Sequence, residues 1–156
     1  MEIEPCMTFG KSARHTIQQG FARKVSKEEA LDILKKTEEL GLIHKAFHNA
    51  SDINRSENSI CNCCSDCCDT FNLWRMGATP MVNSTNYLSV VNENCSACGT
   101  CVQKCPTEAI ILNGNDIAQV TEDRCIGCGL CARVCPEMAI SLKEGIRTVY
   151  LPPVKQ

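Results

Sequence analysis

A chain of 156 residues with seven aromatic residues (four Phe, two Tyr, one Trp) but fourteen cysteines can bury only a modest apolar core and must rely on covalent or coordinate cross-links. Its formal charge of −2, from 16 basic and 18 acidic residues, leaves no basic stripe for phosphate and excludes nucleic acid as a default partner. The amino terminus MEIEPCMTFGK has no apolar h-region or small-residue cleavage site, and no stretch approaches membrane-spanning length. These features predict a cytoplasmic protein without a membrane span. Cysteines in that reducing compartment are more often metal ligands or redox groups than disulfides.

In chain order, Ala13 to Phe21 can form a short helix after the breaker Gly10, and Gly20 interrupts it. Ser26 with Glu29 three residues on is a capping box, and it predicts a helix whose apolar face carries Leu31, Ile33, Leu34 and Leu40. Gly41 is a natural C-cap, after which Leu42 to Phe47 changes to a period near two and reads as a short strand. His15, His44 and His48 stand at no ligand spacing from a cysteine and are expected to be ordinary surface or strand residues. Asn49 to Ser59 is polar and reads as a loop.

The loop leads to ICNCCSDCCD, beginning at Ile60. Here Cys61, Cys64 and Cys67 keep a C-x2-C-x2-C spacing that lets three thiolates converge from one loop. A fourth ligand would come from Cys6, with Cys63 and Cys68 as alternatives. If the stretch were helical, Cys63/Cys67 and Cys64/Cys68 would be i,i+4 pairs able to enclose zinc. The expectation is a third metal site, either iron-sulfur or zinc. Thr70 to Met76 reads as a short helix that packs Phe71, Leu73 and Trp74 over it.

Gly77 to Pro80 ends that helix, and the expected organisation is an N-terminal module over 1–80, a linker over 81–86, a second domain over 87–146 and a tail over 147–156. Within the second domain one pattern occurs twice. CSACGTCVQKCP begins at Cys95 and CIGCGLCARVCP at Cys125. Both are C-x2-C-x2-C-x3-C-P, a run that holds one iron-sulfur cluster and lends its last cysteine to another. Each copy is followed by an apolar strand, 109–112 and 139–142, and Asn113 to Asp116 reads as a hairpin turn that returns the chain over 117–120.

Residues 87–145 resemble a bacterial two-[4Fe-4S] ferredoxin of the clostridial type. That resemblance implies an α+β protein: a pseudo-symmetric dicluster ferredoxin fold preceded by a small, mainly helical, cysteine-rich domain. It also implies crossed ligation, with cluster one held by Cys95, Cys98, Cys101 and Cys135, and cluster two by Cys125, Cys128, Cys131 and Cys105. Ala97 departs from the glycine usual there, which Gly127 keeps in the second copy. The amino-terminal part is similar to a module of bacterial and archaeal iron-sulfur proteins of unassigned function.

Eight thiolates around two oxidised clusters add roughly −4 to the charge, which favours docking on a basic patch of a redox partner. The function implied is low-potential electron transfer, of the kind anaerobes use, as a carrier or as a relay subunit of a larger oxidoreductase. Fully ligated clusters leave no open iron, so no catalytic residue is expected at these two sites. The alternatives are a redox or metal sensor, and an enzyme acting at an incompletely ligated third cluster.

Overall fold

The structure is a computed structural model that describes residues 5–47 and 58–155. Its mixed helix and strand content is compatible with an α+β protein. The chain divides into two compact units, Met1–Cys64 and Ser65–Gln156.

The first unit contains β1 (Met7–Thr8), α1 (Gly10–Gln18), α2 (Lys27–Glu39), β2 (Ile43–Phe47) and β3 (Ser59–Cys63). The N-cap bond of the expected capping box forms at the start of α2, where Ser26 Oγ accepts from Glu29 N at 3.1 Å, while the Glu29 carboxylate pairs with Arg23 at 2.7 Å. Gly41 follows the helix at φ 72°, in the left-handed region that suits a C-cap glycine. The inward face of α2 is the expected one only in part, with Ile33 and Leu34 half-buried on it. Leu31 and Leu40 are exposed and Thr37 is buried, because Ala30, Ile33, Leu34 and Thr37 share a stripe at 3.6-residue spacing. The Thr37 hydroxyl is satisfied within its own helix by the carbonyls of Ile33 and Leu34, both at 2.9 Å.

A sheet ordered β1-β3-β2, antiparallel throughout, makes this unit less helical than its sequence implies. Ile60 to Cys63 therefore lies on a strand, and the helical arrangement that would pair Cys63 with Cys67 does not occur. Asn62 is buried at 1% exposure. Its amide donates to Pro5 O at 2.7 Å and its oxygen lies 2.5 Å from His44 Nδ1, so His44 has a structural partner on the sheet. The expected loop over 49–59 falls largely outside the described residues, as does His48, and Ser59 already belongs to β3.

The second unit begins before the expected boundary. It contains α3 (Asp69–Arg75), β4 (Met81–Val91), α4 (Thr100–Lys104), β5 (Ile110–Leu112), β6 (Ala118–Val120), a 3-10 turn (Glu122–Arg124), α5 (Leu130–Val134) and β7 (Ile140–Leu151). Residues 81–86, expected as a linker, are the first half of β4. They pair antiparallel with β7 from Met81↔Leu151 to Thr85↔Arg147, so residues 147–151 are a strand and not a tail. The polar run Asn83-Ser84-Thr85-Asn86 resembles a loop when read alone, but Asn83 to Thr85 pair with a segment some sixty residues away and Asn86 lies at the bulge. A bulge between Thr85 and Tyr87 separates this outer half from the inner half, which runs to Val91↔Ile140.

α3 belongs to this unit. Trp74 is 1% exposed, its Nε1 donates to Pro152 O at 2.8 Å, and its carbonyl accepts from Val154 N at 3.2 Å. The Arg124 guanidinium stacks 5.8 Å from the Trp74 ring centroid, which ties α3 to the loop preceding Cys125. Replacing Trp74 by Ala is expected to destabilise this unit by about 3–5 kcal/mol, the usual cost of emptying a buried aromatic site. Urea unfolding followed by circular dichroism checks this, and a loss under about 1 kcal/mol would contradict the packing described.

Candidate metal centres

The local backbone of the second unit repeats at an interval of thirty residues. Gly99 (φ 74°) and Gly129 (φ 77°) each precede a five-residue helix, α4 or α5. Each helix ends on a cysteine in extended conformation, Cys105 or Cys135. The next turn closes alike in both copies: Ala109 N donates to Cys105 Sγ at 3.2 Å and Ala139 N to Cys135 Sγ at 3.3 Å. Glu108 (φ 54°) and Met138 (φ 49°) occupy the left-handed region at matching positions.

Two cavities result. Cys95, Cys98, Cys101 and Cys135 line the first, together with Ala118, Ala139 and Ile140. Cys105, Cys125, Cys128 and Cys131 line the second, with Ser89, Thr107, Ala109, Ile110 and Ile126. Each therefore takes three cysteines from one motif and the last cysteine of the other. Cys101 and Cys131 also sit in one buried cluster with Ile110, Ala118 and Ile140, so the sulfurs form part of the hydrophobic core.

Burial controls the electrostatics of these thiols. Desolvation pushes Cys128 up to about 12, with the neighbouring Cys131, Cys105 and Cys125 adding to the rise. Desolvation also raises Cys131, against a lowering contribution from the Ser89 hydroxyl. In the first cavity Cys101 is raised by burial and further by Cys95 and Cys98. Cys98 is exposed and is lowered, first by the Thr100 hydroxyl, whose Oγ1 lies 3.5 Å from Cys98 Sγ. Four thiolates cannot share either cavity without a compensating cation, and the all-sulfur donor sets fit iron-sulfur clusters, whose ligands are cysteine thiolates.

The departure at position 97 has a steric explanation. Ala97 (φ 55°) and Gly127 (φ 66°) adopt the same backbone conformation. A Cβ at Gly127 would run into Thr85 Oγ1 and the Tyr87 carbonyl, which the β4 bulge presents to this loop. Arg147, from the outer half of β7, secures the same place: it donates to Glu122 O at 2.6 Å and to the carbonyls of Tyr87 and Cys125. Neither Arg147 nor Ser89 stood out in the sequence, since each reaches the site through strand pairing.

Residues 88–142, about a third of the chain, match the family model of the 4Fe-4S dicluster domain. The C-terminal segment is a ferredoxin-like 4Fe-4S domain. No curated protein matches the chain. This domain and the many cysteines support an iron-sulfur electron-transfer role, and ferredoxin-like domains act by passing electrons to partners. Among the described residues no helix is long and apolar enough to cross a membrane.

The remaining cysteines are distributed differently. Cys6 is exposed beside β1, Cys61 and Cys63 lie on β3, and Cys64 follows it in the first unit. Cys67 lies in a turn and Cys68 caps α3, both in the second unit. Cys64 and Cys67 are each disulfide-bonded. Neither disulfide-bonded sulfur can act as a thiolate ligand in that state. Among the described residues no three His, Cys, Asp or Glu side chains are grouped to hold a single metal ion.

Gly127→Ala is expected to cost about 2–4 kcal/mol, combining overpacking with the left-handed backbone. Gly99→Ala meets nothing within 4 Å and should cost only about 1 kcal/mol. Urea midpoints and iron content of the two variants check the contrast, with iron loss expected at position 127 alone.

Proposed function

We propose that this chain is a low-potential electron carrier, or the relay subunit of a larger oxidoreductase, with two [4Fe-4S] clusters held by crossed ligands in a pseudo-symmetric arrangement. Cys95, Cys98, Cys101 and Cys135 would hold one, and Cys125, Cys128, Cys131 and Cys105 the other. The observation that carries this reading is the lining of each cavity by three cysteines of one motif and the last of the other. When bound, each cluster supplies one-electron redox chemistry. The chain's own residues set the conditions for it: apolar walls exclude water, Ala109 and Ala139 direct N–H groups at the two crossing sulfurs, and exposed Cys98 brings one site to the surface. One electron arrives from a reduced donor protein and one leaves to an oxidised acceptor, with no bond made or broken. All-thiolate ligation and a net negative charge support a low potential and a partner with a basic docking patch.

Anaerobically prepared protein is expected to hold about eight irons and eight labile sulfides. Cys135→Ser should perturb the same reduced-state EPR signal as Cys98→Ser, and Cys105→Ser the same signal as Cys128→Ser. If Cys135→Ser instead altered the signal governed by Cys128, crossed ligation would be wrong.

The disulfide-bonded state of Cys64 and Cys67 favours a second reading, a redox sensor. Cys64 and Cys67 stand at a C-x2-C spacing, and reduction of a disulfide to two thiols takes two electrons and two protons from a dithiol reductant. Thiolates for a third iron-sulfur or zinc site would exist at these positions only in the reduced form. Alkylation followed by mass spectrometry should label Cys64 and Cys67 after treatment with a dithiol reductant and not before. Labelling that is the same in both conditions would remove this reading.

A further inference from the structure

The two cavities differ in one buried side chain that strand pairing makes directly comparable. In the β5–β6 hairpin, Val120 pairs with Ile110 and Ala118 with Leu112. In the inner half of β4–β7, Val91 pairs with Ile140 and Ser89 with Leu142. The next backbone bonds also correspond, Thr121 N to Ala109 O at 2.7 Å and Asn92 N to Ala139 O at 2.9 Å. Ser89 is therefore the counterpart of Ala118, and both are 3% exposed.

Their chemistry differs. Ala118 can offer only its backbone, with N at 3.5 Å from Cys95 Sγ. Ser89 places its hydroxyl 3.1 Å from Cys131 Sγ and 3.8 Å from Cys125 Sγ. A cysteine bound to iron carries no proton, so the hydroxyl must be the donor. The other hydroxyl lining this cavity is already engaged, since Thr107 Oγ1 donates to Arg124 O at 2.8 Å and lies 3.8 Å from Cys105 Sγ. In the first cavity the hydroxyls beside a sulfur are those of Thr100, 3.5 Å from Cys98 Sγ, and Ser96, and both act on exposed Cys98; their counterparts in the second motif are Leu130 and Ile126. Water competes with a donor at that exposed edge, whereas a buried donor acts at low dielectric and is electrostatically stronger.

We propose that Ser89 is a tuning residue: its hydroxyl donates to Cys131 in the second cavity and raises the reduction potential of the cluster held there, leaving the first unaffected. The inference rests on the two-cluster reading above. Reduction adds one electron, and so one negative charge, to a site whose sulfurs are buried. A hydrogen bond to a ligand sulfur stabilises that added charge, and hydrogen bonding is among the levers that set such potentials. The donor thus offsets part of the burial cost in the second cavity, bringing the two sites closer in potential than their solvent exposure alone would allow.

The test is an EPR-monitored redox titration of anaerobic, fully loaded protein, as wild type, Ser89→Ala and Ala118→Ser. Ser89→Ala should move one of two one-electron transitions to lower potential and leave the other in place. A tenfold fall in the reduced-to-oxidised ratio at fixed potential, about 59 mV for a one-electron couple, is the expected size. Resonance Raman should show an iron–thiolate stretch altered in the same variant. Ala118→Ser should raise the other transition, and it keeps the proposal testable if Ser89→Ala loads poorly. Unmoved transitions in both variants at full iron and sulfide content would overturn the role of Ser89. Absence of two one-electron transitions in the wild type would instead overturn the two-cluster reading itself.

Discussion

The second unit is organised by the need to gather eight sulfurs into two cavities inside a domain with little apolar mass. Each cavity draws its last cysteine from the opposite motif, so neither half can close independently. The first motif must deliver Cys105 to the second cavity and the second must return Cys135 to the first. The buried sulfurs of Cys101 and Cys131 pack with Ile110, Ala118 and Ile140, and the core and the candidate site are one object. Burial that drives Cys128 to about 12 makes an empty cavity a poor place for thiolate. A metal-sulfur core that accepts four thiolates and disperses their charge converts this liability into stability.

Around that centre the scaffold is unequal. β4 and β7 extend well past the second cavity and carry the outer ladder, the bulge and Arg147 to its loop. α3 reaches the same side through Arg124 over Trp74 and through the Arg124 side chain, which donates to Thr107 O at 2.7 and 3.0 Å. The β5–β6 hairpin beside the first cavity has no such extension. Gly127 against Ala97, Ser89 against Ala118 and Leu130 against Thr100 follow the same division. The second cavity is the more enclosed at its Cys128 position, while the first reaches solvent at Cys98.

Much of the site was legible before the fold. Cluster cysteines follow strict spacing, because one short loop must aim three sulfurs at one point, and such local constraints leave a direct trace in the sequence. The N-cap bond at Ser26 and the glycine after α2 were local in the same sense, each satisfying backbone groups within one turn. Less legible were features that depend on distant partners. The run from Met81 to Asn86 carries turn-forming residues, yet it is a strand because residues 147–151 supply its hydrogen bonds. The apolar residues of α2 divide for the same reason: Ile33 and Leu34 lie on the inward stripe with Thr37, whereas Leu31 and Leu40 lie off it.

The sequence by itself determined where the cysteines of the dicluster domain lie and that they come as two matched sets, because that information resides in spacing along the chain. It could not assign Ser89, Arg147 or Gly127 their places, since a serine on a strand, an arginine near a terminus and one glycine among nine have no distinctive local pattern. Only the antiparallel register of β4 with β7 brings the Ser89 hydroxyl to Cys131 and the Arg147 guanidinium to the Cys125 carbonyl. Residues some forty and twenty positions apart in the chain meet there because strand pairing aligns them, and that alignment is what makes the two otherwise matched cavities chemically different.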